Sequence, residues 1–130
     1  LGHEVAGAGD VDGDGYDDVI VGAPGYDFGG KIDVGAAGVF LGSATCVDAT
    51  PAAFLTTDQA DARMGTSVST AGDVNGDGCD DVIVGAPRYD FGGIDNVGVA
   101  AVYHGSTTEF FLFADGFESG NTAAWSMTVP

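Results

Sequence analysis

Asp10-Val11-Asp12-Gly13-Asp14-Gly15-Tyr16-Asp17-Asp18 runs straight into Val19-Ile20-Val21-Gly22-Ala23-Pro24, and 63 residues later Asp73-Val74-Asn75-Gly76-Asp77-Gly78-Cys79-Asp80-Asp81 runs into Val82-Ile83-Val84-Gly85-Ala86-Pro87. Side-chain oxygens at positions 1, 3 and 5 of such a loop, a backbone carbonyl at 7 and a carboxylate at 9 converge on one hard cation, and calcium favours such all-oxygen sets. The candidate ligands are Asp10, Asp12, Asp14, the Tyr16 carbonyl and Asp18 in the first loop. In the second they are Asp73, Asn75, Asp77, the Cys79 carbonyl and Asp81, giving an expectation of two Ca²⁺ per chain. The differences between the copies follow the same logic. Position 7 offers only its carbonyl and alternates Tyr16 with Cys79, whereas position 3 needs only an oxygen and alternates Asp12 with Asn75. Position 6 must turn sharply, and Gly15 and Gly78 occupy it.

The charge balance agrees. Twenty acidic residues face three basic ones for a formal charge of -17, and nine of the acids lie in the two loops. Empty loops of this kind repel themselves, so cation binding and folding should be linked. A nucleic-acid partner is excluded, because phosphates require a Lys/Arg footprint that this composition lacks. No apolar run approaches the ~20 residues of a membrane-spanning helix.

At 130 residues the chain has the length of about one domain. Its 23 glycines follow no triplet period, so collagen-like and low-complexity readings fail. No basic-then-apolar leader precedes Leu1, so the sequence reads as a mature product or as a fragment of a longer chain. Cys46 and Cys79 hold non-equivalent places in the repeat; they either pair once with each other or stay free. Calcium is the better guide to location. Cytosolic calcium is scarce, while small loops without a flanking helix pair suit millimolar extracellular calcium, so a secreted or cell-surface setting is expected.

Aligning the halves extends the match well beyond the loops. Tyr26-Asp27-Phe28-Gly29-Gly30 returns as Tyr89-Asp90-Phe91-Gly92-Gly93, and Val39-Phe40-Leu41-Gly42-Ser43 answers Val102-Tyr103-His104-Gly105-Ser106. Self-similarity at one period marks a repeat architecture. Helical periodicity is almost absent. Short β runs are expected at about Glu4 to Ala8, Asp18 to Val21, Ala36 to Leu41 and Ala52 to Thr56, and again at about Ser67 to Ala71, Asp81 to Val84, Val99 to His104 and Phe110 to Phe113. The fold class is therefore all-β, with two four-stranded antiparallel sheets repeated as propeller-like blades.

The segment Val5 to Pro24 and its copy Val68 to Pro87 resemble the FG-GAP repeat of integrin alpha-chain propellers and related bacterial extracellular proteins. The resemblance covers residues 1 to about 113, with Leu1-Gly2 and Met64-Gly65 standing for the family's leading Phe-Gly. It implies blades with calcium in the loop joining the first two strands, used in adhesion or recognition. Dockerin-like and EF-hand loops share the spacing, but they continue into helices, whereas Val19 and Val82 open β runs. The division expected is a first repeat at 1–63, a second at 64–113 and a tail at 114–130 that caps or docks.

Family propellers close with about seven blades, so two form an incomplete propeller. Exposed strand edges then favour a homo-oligomer or a filament. The tail, which holds four Phe between Phe110 and Phe117 and the single Trp125, is either a last strand and cap on its own sheet or a strand that docks on a neighbour. An extracellular protein or glycan is a further candidate partner, with the repeated Tyr26/Phe28 and Tyr89/Phe91 loops either packing between units or binding it. Asp17 and Asp80 at position 8 are expected to face away from the ion. His3 and His104 have Thr66 and Leu41 as counterparts, and no repeated Ser/His arrangement exists, so no enzyme is expected. The function expected is a secreted, calcium-binding structural, adhesion or self-assembly module; the alternative is a non-catalytic propeller fragment of a larger extracellular hydrolase or receptor.

Overall fold

The computed structural model describes residues 1–107, and beyond them the backbone of 113–117 and 126–127. Among the described residues nine strands follow one another: β1 Glu4–Gly9, β2 Asp18–Ala23, β3 Ala36–Phe40, β4 Ala53–Thr56, β5 Ser67–Gly72, β6 Asp81–Ala86, β7 Val99–His104, β8 Phe113–Phe117 and β9 Ser126–Met127. They build two antiparallel meanders, a four-stranded sheet ordered β1-β2-β3-β4 and a five-stranded sheet ordered β5-β6-β7-β8-β9. These are two propeller blades without a closed ring.

The repeat is reproduced down to its irregularities. β1 carries a bulge between Gly7 and Gly9 and β5 carries one between Thr70 and Gly72, with Gly9 and Gly72 at φ of 75° and 70°. Such a bulge ends regular pairing and swings the chain into the acidic loop. β2 and β6 pair on both sides, and their Val-Ile-Val runs are apolar on both faces, as central strands between layers require.

The blades stack face to face through opposite faces of equivalent strands. Blade 1 contributes Ala8, Ile20, Ala37, Val39 and Leu55, while blade 2 contributes Val68, Val82, Val84 and Ala86, all in one buried cluster with Met64. Gly22 lies directly beneath the Gly65 carbonyl, and Gly65 in turn lies against the Ala36 carbonyl, so any Cβ at either position would collide with backbone. The connecting segment is laced across the junction. Met64 N–H donates to the Val34 carbonyl (3.1 Å) and Arg63 N–H to the Asp33 carbonyl (3.0 Å).

Two expectations are corrected. The second sheet has five strands, because the tail adds β9 beyond β8. β8 spans Phe113–Phe117 rather than Phe110 to Phe113; residues 110–112 lie outside the described ones. Its backbone pairs with β7 of the same sheet, as the capping alternative for the tail requires, whereas Trp125 lies outside the described residues. Of the two alternatives left open for the cysteines, the structure has the free one: Cys46 is an exposed thiol and Cys79 a buried one.

Candidate metal centre

Both acidic loops join the first and second strands of their blades, at the same end of the molecule. Their backbones match closely. Gly13 and Gly76 sit at φ of 74° and 73°, and Gly15 and Gly78 at 90° and 89°, conformations in which a residue bearing a Cβ is strained. These left-handed steps wrap the chain around the side chain at position 1. Asp10 accepts from the N–H groups of Asp14 (Oδ1, 3.0 Å) and Gly15 (Oδ2, 2.8 Å), and Asp73 accepts from those of Gly76, Asp77 and Gly78 at 2.8 to 3.1 Å.

Position 9 is the anchor. Asp18 and Asp81 are fully buried, each spending one oxygen on the loop and the other on the far strand end. Asp18 accepts from Val11 N–H and Gly42 N–H, both at 2.8 Å; Asp81 accepts from Val74 N–H at 2.8 Å and Gly105 N–H at 2.9 Å. One carboxylate thereby ties the start of the loop to the end of the third strand. Each oxygen keeps a further lone pair for a cation.

The two loops are not electrostatically equal. In the first, carboxylate oxygens of Asp10, Asp12 and Asp18 all lie within 4.8 Å of one another, the one such trio of potential ligands among the described residues. Burial, aided by the charges of Asp14 and Asp18, pushes the Asp12 carboxyl up to about 6, and burial also raises Asp18 against its two backbone donors. In the second loop Asn75 replaces that acid and its amide reaches Asp77 Oδ2 at 3.4 Å. Asp73 is held below the usual carboxylate range, chiefly by the Gly78 N–H. Like charges held close and partly dehydrated are what a divalent cation relieves, so the first loop fits a hard cation by its donor chemistry.

Of the ten sequence-derived ligands, the structure groups Asp10, Asp12 and Asp18, while Asp73, Asp77 and Asp81 stand further apart. Asp14 and Asp77 cap the N–H groups of Tyr16 and Cys79, at 2.9 Å each. The side chains at position 7 differ in setting, Tyr16 exposed and Cys79 buried, with burial and the surrounding Asp charges raising the Cys79 thiol.

Position 8 holds a feature that the repeat concealed. Asp17 is exposed, as expected, but Asp80 reaches across the blade junction: its Oδ2 accepts from Asp10 N–H at 2.9 Å while its own N–H donates to the Asp10 carbonyl at 2.8 Å. Ser106 N–H donates to the Val11 carbonyl beside it (3.0 Å). The second loop is thus fastened to position 1 of the first loop.

Comparison with known proteins now bears on this geometry. The FG-GAP repeat signature matches residues 2–39 and 64–103, together more than half of the chain. The chain belongs to the FG-GAP repeat family. It is 41% identical to integrin alpha-PS2 of Drosophila melanogaster over 75% of its own length, and 35% identical to integrin alpha-6 of Gallus gallus over 92%. It is also 32% identical, over 75% of its length, to phosphatidylinositol-glycan-specific phospholipase D of Mus musculus. The chain spans only 7 to 12% of the length of these relatives. In this FG-GAP chain no helix among the described residues is long and apolar enough to cross a membrane.

The aromatic loops part company. Tyr26 stacks on Phe28 and meets Phe54 of its own blade edge-on at 5.1 Å, all three exposed, whereas Tyr89 packs against the inter-blade core. Packing between units therefore holds for the second copy and not for the first.

Proposed function

We propose that the chain is an extracellular, calcium-stabilised FG-GAP module with a structural or adhesive role and no catalytic one. One Ca²⁺ would be held by Asp10, Asp12, Asp14, the Tyr16 carbonyl and Asp18, and a second by Asp73, Asn75, Asp77, the Cys79 carbonyl and Asp81. The observation that carries the reading is the approach of Asp10, Asp12 and Asp18 to within 4.8 Å in a loop of fixed backbone shape. Asp18 and Asp81 then do double work. Each is already tied to a strand end, so a cation drawn into the loop stiffens the blade as well as the turn. Calcium supplies charge neutralisation here, and the chain's own residues supply the scaffold.

A second reading is favoured by the small share of its relatives that the chain spans: a non-catalytic propeller segment of a larger extracellular hydrolase or receptor. Both readings need the same metal chemistry. Calorimetric titration of the metal-free chain should give a stoichiometry of two Ca²⁺, the first-loop site tighter because Asn75 leaves the second loop one carboxylate short. Asp14→Ala and Asp77→Ala should each remove one site and leave the other. A stoichiometry of zero or one, or a preference for zinc, contradicts the proposal.

A further inference from the structure

The two acidic loops touch, and they touch through the residues beside their anchors. Asp80, half-buried and next to the buried Asp81, grips the Asp10 backbone from both sides: its Oδ2 accepts from Asp10 N–H at 2.9 Å and its own N–H donates to the Asp10 carbonyl at 2.8 Å. A second connection runs alongside. Ser106 N–H donates to the Val11 carbonyl at 3.0 Å, the preceding Gly105 N–H donates to Asp81 Oδ1 at 2.9 Å, and Val11 N–H donates to Asp18 Oδ2 at 2.8 Å. Asp18 and Asp81, the buried carboxylates of the two loops, are therefore linked through the backbone of Val11 and of Gly105-Ser106.

The packing around Asp80 leaves it little freedom. A Cβ on Gly9, the bulge residue that turns β1 into the first loop, would strike the Asp80 carboxylate, and a Cβ on Gly105 would strike the Asp80 and Val11 carbonyls. The contact is between backbones and one short side chain, so it transmits displacement instead of absorbing it. The two loops also differ in readiness. Carboxylate oxygens of Asp10, Asp12 and Asp18 already lie within 4.8 Å of one another, whereas the acids of the second loop form no such trio among the described residues.

We infer that the two cation sites are positively coupled, and that Asp80 is the positioning residue that couples them. The inference rests on the calcium reading of the loops and adds to it an order of filling. A cation in the first loop fixes Asp10; the Asp10 N–H and carbonyl hold Asp80; and Asp80, one peptide away, holds Asp81 at the anchor of the second loop. Ordering met at the first binding step is not met again at the second, so the second loop fills more tightly once the first is full. Linkage makes the effect reciprocal, so a filled second loop equally favours the first. Repulsion between the two ions acts the other way, but both loops are largely exposed and salt screens it.

The probe is calcium itself, titrated calorimetrically into the metal-free 130-residue chain at physiological salt. In the wild type the second-loop site should bind about fivefold more tightly than the same site in Asp14→Ala, where the first loop stays empty. Asp80→Ala removes the carboxylate half of the clamp, and in that background the second-loop affinity should be the same whether the first loop is filled or disabled. Asp80→Asn keeps an oxygen acceptor for Asp10 N–H and should retain the coupling, which separates position from charge. Hydrogen exchange reads the clamp without reference to affinity: filling the second loop alone, in Asp14→Ala, should slow exchange of Asp10 N–H, and in Asp14→Ala/Asp80→Ala it should not. Two ions bound independently, coupling that survives Asp80→Ala, or coupling lost equally in Asp80→Asn would each overturn the inference and leave the calcium reading standing. A stoichiometry below two would overturn both.

Discussion

Single carboxylates in this protein are worth very different amounts, although the sequence writes them alike. Asp18 and Asp81 each satisfy two N–H groups. Asp18→Ala would strand the donors of Val11 and Gly42, and with each such loss costing about 1–3 kcal/mol, unfolding should shift by ~2–4 kcal/mol in denaturant titration even without calcium. Asp80→Ala should cost about 1 kcal/mol because it frees Asp10 N–H, while Asp17→Ala at the equivalent position should be nearly neutral. This asymmetry was not legible in the sequence. The repeat makes positions 17 and 80 equivalent, and only the stacking of one loop on the other separates them. The approach of Asp10, Asp12 and Asp18 was legible, because oxygen spacing is a local property. The anchoring of Asp18 to Gly42 and of Asp81 to Gly105 left one trace, the matched Gly42-Ser43 and Gly105-Ser106, whose meaning needs the third strand in place.

At the scale of elements, the sequence carried the strands and their order. β alternation, the glycine breaks and the period predicted the first seven strands to within about two residues, because hairpin register follows from side-chain alternation and turn residues. The eighth strand was misplaced because Phe110-Phe111-Leu112-Phe113 is the most apolar run nearby, and the pairing with β7 falls on Phe113–Phe117 instead. Repetition also predicts the wrong thing for Leu1 and Met64. They are equivalent in sequence, yet only Met64 has a blade on both sides. Met64→Ala should therefore cost ~2–4 kcal/mol through a cavity in the junction, whereas Leu1→Ala should leave the unfolding midpoint of the dilute chain unchanged.

For the whole molecule, charge decides the balance. All three basic side chains are spent in or beside the junction: Lys31 on Asp58 (2.7 Å), Arg63 on Asp33 (3.1 Å) and Arg88 on Asp61 (3.3 Å). These pairs are largely exposed and each contributes under ~1 kcal/mol. None of the three pairs reaches the acidic loops, where His104 Nδ1 lies 3.5 Å from Asp81 Oδ2, and cations from solution can relieve the remaining repulsion. Added salt should partly stabilise the metal-free chain through screening, and calcium should do far more at a small fraction of that concentration by binding in the loops. The most direct measurement is the thermal unfolding midpoint of the chain in chelator and after calcium is restored. A midpoint that falls by several degrees in chelator and returns with calcium is the predicted result; superimposable curves would contradict a fold stabilised by cations in its two acidic loops.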